Sequence, residues 1–95
     1  NQFMVSIAEH YYRLKENDKA NDIVKTLINQ YHEELIYYTS LKGSFRKNVE
    51  REEGFSKYIL GQLIMLSKDR YPESGLADEM KTEFESILLM LNGNR

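Results

Sequence analysis

The sequence contains no cysteine and no tryptophan, a single proline, and only five glycines among its 95 residues. Without thiols there can be no disulfide, no thiolate zinc site and no cysteine nucleophile, although such a chain suits cytosol and periplasm equally. With so few breakers, long regular segments are expected. There is no surplus of basic charge: thirteen Lys and Arg stand against fifteen Asp and Glu, a net charge of -2. Binding a phosphate backbone calls for the opposite balance, so nucleic acid is not the expected partner. Long apolar runs are missing too. The longest, Ile87-Leu88-Leu89-Met90-Leu91, is far short of the roughly 20 residues that cross a bilayer, so no membrane insertion by these residues is expected. No basic-then-apolar signal segment opens the sequence, which starts on Asn1 inside an apolar pattern; we expect residues 1–95 to be a piece of a longer protein.

What is present suffices for folding. Hydrophobic residues make up 41% and include seven Tyr and four Phe, too apolar and aromatic for a disordered tail. Residues 1–95 amount to one small domain with one core, hiding about 60 to 70% of the surface its unfolded chain exposes.

Apolar residues recur at three and four, the spacing of helices. Phe3, Met4, Val5, Ile7, Ala8, Tyr11, Tyr12 and Leu14 form a first stripe. Glu16-Asn17-Asp18 interrupts it, with Asp18 placed to cap the next helix. Ala20, Ile23, Val24, Leu27, Ile28 and Tyr31 form a second stripe, predicted to end at His32-Glu33-Glu34. The short link makes these two segments antiparallel neighbours. A third, short segment covers residues 34–42 and stops at Gly43, with Ser44 as the cap of a fourth. In that fourth segment Phe45, Val49, Phe55, Tyr58, Ile59, Leu63, Ile64 and Leu66 give a long pattern containing Gly54 and Gly61, each suggesting a kink or a close helix contact. Tyr71-Pro72-Glu73-Ser74-Gly75 is the strongest breaker cluster, because proline lacks the amide a continuing helix needs. A last helix over 76–91 ends at Asn92-Gly93-Asn94. The expected fold class is all-α, about five helices in antiparallel hairpins.

In AEHYYRLKENDKANDIVKTL, small Ala8 and Ala20 fall where paired helices come closest, with Tyr11, Val24 and Leu27 as packing bulk. This stretch resembles a tetratricopeptide repeat. Met4, Ile7, Ala8, Tyr11, Ala20, Val24 and Leu27 occupy that family's signature spacings, and ENDKA its inter-helix turn. Met4 stands for the usual Trp, Lys15 for the turn Gly, Leu27 for a small residue and His32 for the closing Pro. Advancing 34 residues reaches Tyr38, Leu41, Phe45, Gly54 and Tyr58, while Lys42 misses the small-residue slot. The resemblance divides the domain into a repeat hairpin over 1–33 and a degenerate repeat with long terminal helices over 34–95, in a right-handed array.

The order of landmarks, a repeat hairpin, then ELIYYTSL, a long helix, and YPESGLADEMKTEFESIL, is similar to the C-terminal helical region of a Bacteroidetes family. Those are multi-spanning membrane proteins that resemble protein O-mannosyltransferases. The resemblance implies a glycosyltransferase-like parent whose sugar-transfer residues lie in its membrane part, with this domain on the periplasmic side of a bacterial inner membrane; without it the expectation is cytoplasmic.

Chemistry-bearing patterns are sparse. His10 and His32 lie in different segments with no second nitrogen or sulfur ligand beside them, so no metal site is expected; one reads as a surface residue, the other as a helix-end cation. Glu50, Glu52, Glu53, Asp78, Glu79, Glu83 and Glu85 interleave with Arg51, Lys57 and Lys81, the pattern of a solvated helix face rather than an acid/base pair. No catalytic residue and no cofactor is expected. The doublets Tyr11-Tyr12 and Tyr37-Tyr38 are more telling, since adjacent helical residues point about 100 degrees apart. In the repeat reading Tyr11 packs inside the hairpin, while Val5, Glu9, Tyr12 and Arg13, with Gln2, line an inner face offered to a polypeptide. Ile87, Leu88, Met90 and Leu91 form an apolar end suited to self-association. The expected function is a non-catalytic interaction or scaffolding module, whose partner is a polypeptide or the membrane-embedded part of the same protein. A free-standing soluble adaptor and, more remotely, a small helical enzyme are the alternatives.

Overall fold

A computed structural model describes residues 2–93 of the chain. Five α-helices succeed one another: α1 (Gln2–Arg13), α2 (Asn17–Thr39), α3 (Gly43–Asn48), α4 (Glu50–Arg70) and α5 (Leu76–Gly93), with one 3-10 turn at Pro72–Ser74. The fold is all-α, with no strand among the described residues. Helices α1 and α5 lie where the apolar periodicity puts them, and the differences elsewhere have physical causes.

The second and third expected segments are one helix. The polar triplet His32-Glu33-Glu34 does not end α2 because the buried stripe runs through it: Val24, Leu27, Ile28, Tyr31 and Leu35 keep the three-and-four spacing on one side, and nothing in the triplet breaks a helix. His32 therefore lies mid-helix, its Nε2 3.3 Å from Glu83 Oε2 of α5. The division expected at 33 and 34 falls inside this helix. Asp18 belongs to the first turn of α2 rather than capping it, where its charge still complements the helix dipole. The long fourth pattern is interrupted at Val49, which leaves the helical region (φ -109°, ψ 13°) and separates α3 from α4. Ser44 lies inside α3, whose cap position is Lys42. Within α4, Gly54 has open space where a Cβ would stand, and Gly61 meets the Phe84 ring at an ordinary 4.0 Å.

The turn between α1 and α2 closes by a paired hydrogen-bond motif. The Glu16 amide donates to the Tyr11 carbonyl at 3.0 Å and the Lys15 amide to that of Tyr12 at 3.1 Å. This geometry requires a left-handed residue after the helix, normally glycine, and Lys15 fills it at φ +63°. At the other hairpin Gly75 takes the same role at φ +72° after Pro72.

Short links set α1 against α2 and α4 against α5 as antiparallel pairs. The two pairs meet through α2 and α4, which are also antiparallel: the Ser56 hydroxyl donates to Glu34 Oε2 at 3.0 Å, and Tyr38 lies beside Glu52 and Ser56. α5 also packs on α2, and α1 more lightly on α4. Ala8 and Ala20, the small residues of the first hairpin, are both fully buried. The result is a slab with Cα extents of 46 × 24 × 15 Å and a radius of gyration of 14.1 Å, longer than the roughly 12 to 13 Å of a spherical domain this size.

One corner of the core is ionic. Arg46 of α3 is buried and donates through Nε to Glu53 Oε1, and through Nη2 to the Leu91 carbonyl at 2.9 Å. Lys57 Nζ lies 3.2 Å from Glu53 Oε2. Glu53 is thus not on a solvated face: it is 1% exposed. Burial pushes its carboxyl up, but hydrogen bonds and charge from Arg46 and Lys57 outweigh that and hold it down to about 2, against an ordinary 4.5.

The left-handed turn and the ionic corner can each be probed by unfolding. Relief of the left-handed strain makes Lys15→Gly more stable by about 0.5 to 1 kcal/mol, while Lys15→Val, with a branched Cβ, costs about 1 kcal/mol or more. Urea unfolding of the three chains checks this, and coincident midpoints would contradict it. For Glu53 the folded value lies below the unfolded one, so its contribution is complete above the ordinary value and disappears as pH falls from about 5 towards 2. That loss is on the order of 3 kcal/mol. Glu53→Gln should therefore begin less stable at neutral pH and lose less on acidification. Arg46→Met removes the buried one of Glu53's two cationic partners and leaves Lys57, and should cost up to about 3 to 5 kcal/mol.

Candidate functional site

The helix α1 carries apolar residues beyond its core face. Ala8 and Tyr12 are buried, with Met4 and Val5 packed against the core. Beside that face Phe3, Ile7, Tyr11 and Leu14, with Ser6 and His10, surround a hollow of about 340 Å³, and Tyr11 also packs partly against the core. Phe3 and Leu14 are 64% and 54% exposed. The Lys19 ammonium, held by Glu16 at 3.0 Å, stands 5.9 Å from the Tyr11 ring centre.

Both members of the first tyrosine doublet reach the core, Tyr11 in part as expected and Tyr12 more deeply, against expectation. Tyr12, read as part of an open inner face, is only 3% exposed, whereas Tyr11 is half-buried at the rim of the hollow. The cause is angular: Ala8 and Tyr12 are four apart and share the face turned to the core, and the small Ser67 beside Tyr12 leaves room for the ring. The Tyr12 hydroxyl donates to Asn21 Oδ1 at 3.1 Å. Burial raises its pKa, the Ser67 hydroxyl opposes this, and Tyr71 adds to it. Of the other three residues expected there, Val5 packs partly into the core, and Glu9 and Arg13 form an i,i+4 pair at 3.9 Å, Arg13 being exposed. The four do not make one open surface. The apolar end divides in the same way: Ile87 and Leu91 are buried and Leu88 is half-buried, while Leu89 and Met90 are exposed. Ile87 and Leu91 are therefore not free for self-association, because residues four apart on α5 share the face turned to the core.

A second concavity, unmarked by any motif, lies between α2 and α4. Tyr31, Glu34 and Tyr38 come from α2, and Arg51, Glu52, Phe55 and Ser56 from α4, around about 550 Å³. Spacings of three and four put each set on one helix face. Tyr31 and Ser56 form the buried floor, and Phe55 is 47% exposed at the edge. Burial raises the pKa of both tyrosines, and the Glu34 charge raises each further. For Tyr38, Ser56 opposes this and Glu52 and Tyr37 add to it. The signal for this groove is the interleaving of aromatic and acidic residues at helical spacing in both segments, which becomes a site only once the two helices are paired.

Along the outside of α4, Phe55, Tyr58 and Met65 are exposed, with Gln62 Nε2 donating to the Tyr58 hydroxyl at 2.9 Å. His10 and His32 are apart, on α1 and mid-α2, and among the described residues no three His, Cys, Asp or Glu gather as a metal site. No helix among the described residues is long and apolar enough to cross a membrane.

Compared with known families, curated proteins and solved structures, the chain matches no family model, no relative and no fold neighbour.

The burial of Tyr12 makes a clear expectation. Tyr12→Ala should cost about 3 to 5 kcal/mol as a buried aromatic truncation, and Tyr12→Phe about 0.5 to 1.5 kcal/mol for the lost hydrogen bond. Arg13→Ala should stay within about 0.5 kcal/mol of the parent. Denaturant unfolding of the three variants decides the assignment, and a silent Tyr12→Ala would return that ring to the surface.

Proposed function

We propose that this chain is a non-catalytic interaction or scaffolding module, and that its working surface is the open side of α1. The observation that carries this is the wide apolar surface of that helix. The core claims one side of α1, and next to it an apolar strip remains around a hollow, with Phe3 and Leu14 exposed and Ile7 and Tyr11 half-buried. Contiguous exposed apolar surface of this kind mostly marks a site of association. The thin, elongated slab supports the same reading, since it presents broad faces for its mass. A tetratricopeptide-like array joins hairpins through such helix sides, and the order of α1 and α2, then α4, α5 and the two Ala contacts is compatible with it.

On this reading the domain is the C-terminal region of a membrane glycosyltransferase-like protein, on the periplasmic side, and its partner is the membrane-embedded part of the same protein or a polypeptide acceptor. Support for the parent rests on the resemblance of the landmark order through YPESGLADEMKTEFESIL. A free-standing adaptor is the second reading, favoured by a core that spans all four long helices.

The test uses the full gene product. Phe3→Ser with Leu14→Ser should leave unfolding of the domain within about 1 kcal/mol, as two exposed substitutions. The same pair should sharply reduce cross-linking between the domain and the membrane-embedded part or a bound polypeptide. Unchanged cross-linking with intact folding would rule out this face; a gene product with no membrane part would favour the adaptor.

A further inference from the structure

We propose that the groove between α2 and α4 receives a cationic side chain, arginine above lysine, from an extended segment of a partner polypeptide. This rests on the reading of the chain as an interaction module and names the chemistry of what it holds. The lining is partly aromatic: Tyr38 and the exposed Phe55 stand beside the buried Tyr31, and an aromatic face attracts a cation through its quadrupole. Its charge is carried by Glu34 and Glu52. Glu34 is half-buried and accepts the Ser56 hydroxyl at 3.0 Å, which leaves acceptor capacity on a carboxylate already partly withdrawn from water. Among the described residues neither carboxylate is ion-paired, and Arg51, also in the lining, pairs with neither. Two carboxylates and one guanidinium leave the lining one negative charge in excess, so the complement is a cation. A volume of about 550 Å³ exceeds one side chain, leaving room for main chain beside it, and lies within the roughly 300 to 1,000 Å³ of ordinary ligand sites. Arginine fits better than lysine because its planar fork stacks on a ring while donating to a carboxylate.

The probes are short capped peptides alike but for a central Arg, Lys or Glu, titrated into the isotope-labelled chain and followed by amide NMR shifts. The Arg peptide should move the signals of Glu34, Tyr38, Glu52 and Ser56 saturably, the Lys peptide less strongly, and the Glu peptide not at all. Glu52→Gln, an exposed change, and Glu34→Gln, which keeps an oxygen for Ser56, should each weaken the Arg peptide by about tenfold, the loss of one charge-assisted contact. Salt at about 0.5 M should weaken it further. Equal or tighter binding of the Glu peptide would make Arg51 the anchor and overturn the proposal, as would the absence of saturable shifts in the groove up to about 5 mM peptide. Should Glu34→Gln fail to fold, Glu52→Gln decides alone. Failed peptide binding beside intact cross-linking through α1 would remove this inference and leave the module reading standing.

Discussion

The antiparallel contact of α2 with α4 is the constraint on which the rest of the domain depends. Each of these helices carries one hairpin partner, α1 on α2 and α5 on α4, so the two hairpins are joined chiefly where their long members meet. Val24, Ile28 and Leu35 on one side and Ile59, Leu60 and Leu63 on the other are fully buried. Two serines of α4 accompany them, Ser56 at 2% and Ser67 at 0% exposure. They lie about three turns apart on one face, and their small size makes room for residues of the neighbouring helices: Glu34 at Ser56, and the Tyr12 ring at Ser67. The Ser56 site gives the α2/α4 groove its polar floor, while the fully buried Ser67 lies beside the Tyr12 ring.

The corner formed by α3 obeys a different physics. Six residues are too few for a helix to persist by itself, and the apolar residue that should hold α3 down, Phe45, is 72% exposed. Arg46 goes inside instead. The usual ordering of inside and outside residues is inverted there, and the compensation is specific: one carboxylate, a neighbouring ammonium and a backbone carbonyl at the end of α5, where a cation also suits the helix dipole. Arg46 Nη1 remains buried without a hydrogen-bond partner. Removing either partner of such a pair is costly, because the other charge stays buried with fewer partners.

Much of this is legible in the sequence. The all-helical class, a break between the first two helices and the breaker at 71–75 come from spacing and from proline and glycine chemistry, although the first turn falls at 14–16, just before the expected 16–18. What stayed hidden has a common origin. His32-Glu33-Glu34 reads equally as a helix end or as the outer side of a continuing helix, and only the burial of Tyr31 and Leu35 on either flank decides. Tyr11 and Tyr12 both suit a core and both reach it, and only the packing of α1 on the other helices makes Tyr12 the deeper of the two. Glu53 looks like its solvated neighbours Glu50 and Glu52 until α3 folds Arg46 across it. The groove suffered the same fate, because its acidic and aromatic residues are divided between two helices whose register no local pattern reveals.

The bond from Arg46 to the Leu91 carbonyl joins positions 45 residues apart. Synthesis from the N-terminus therefore makes α3 and α4 long before the group that completes their ionic corner. Until the last turn of α5 emerges, the guanidinium has its carboxylate but not its carbonyl, and this end of the slab is open to water that must later leave. That turn is therefore the last to complete the corner, since it carries both the carbonyl that Arg46 meets and the fully buried Leu91 side chain.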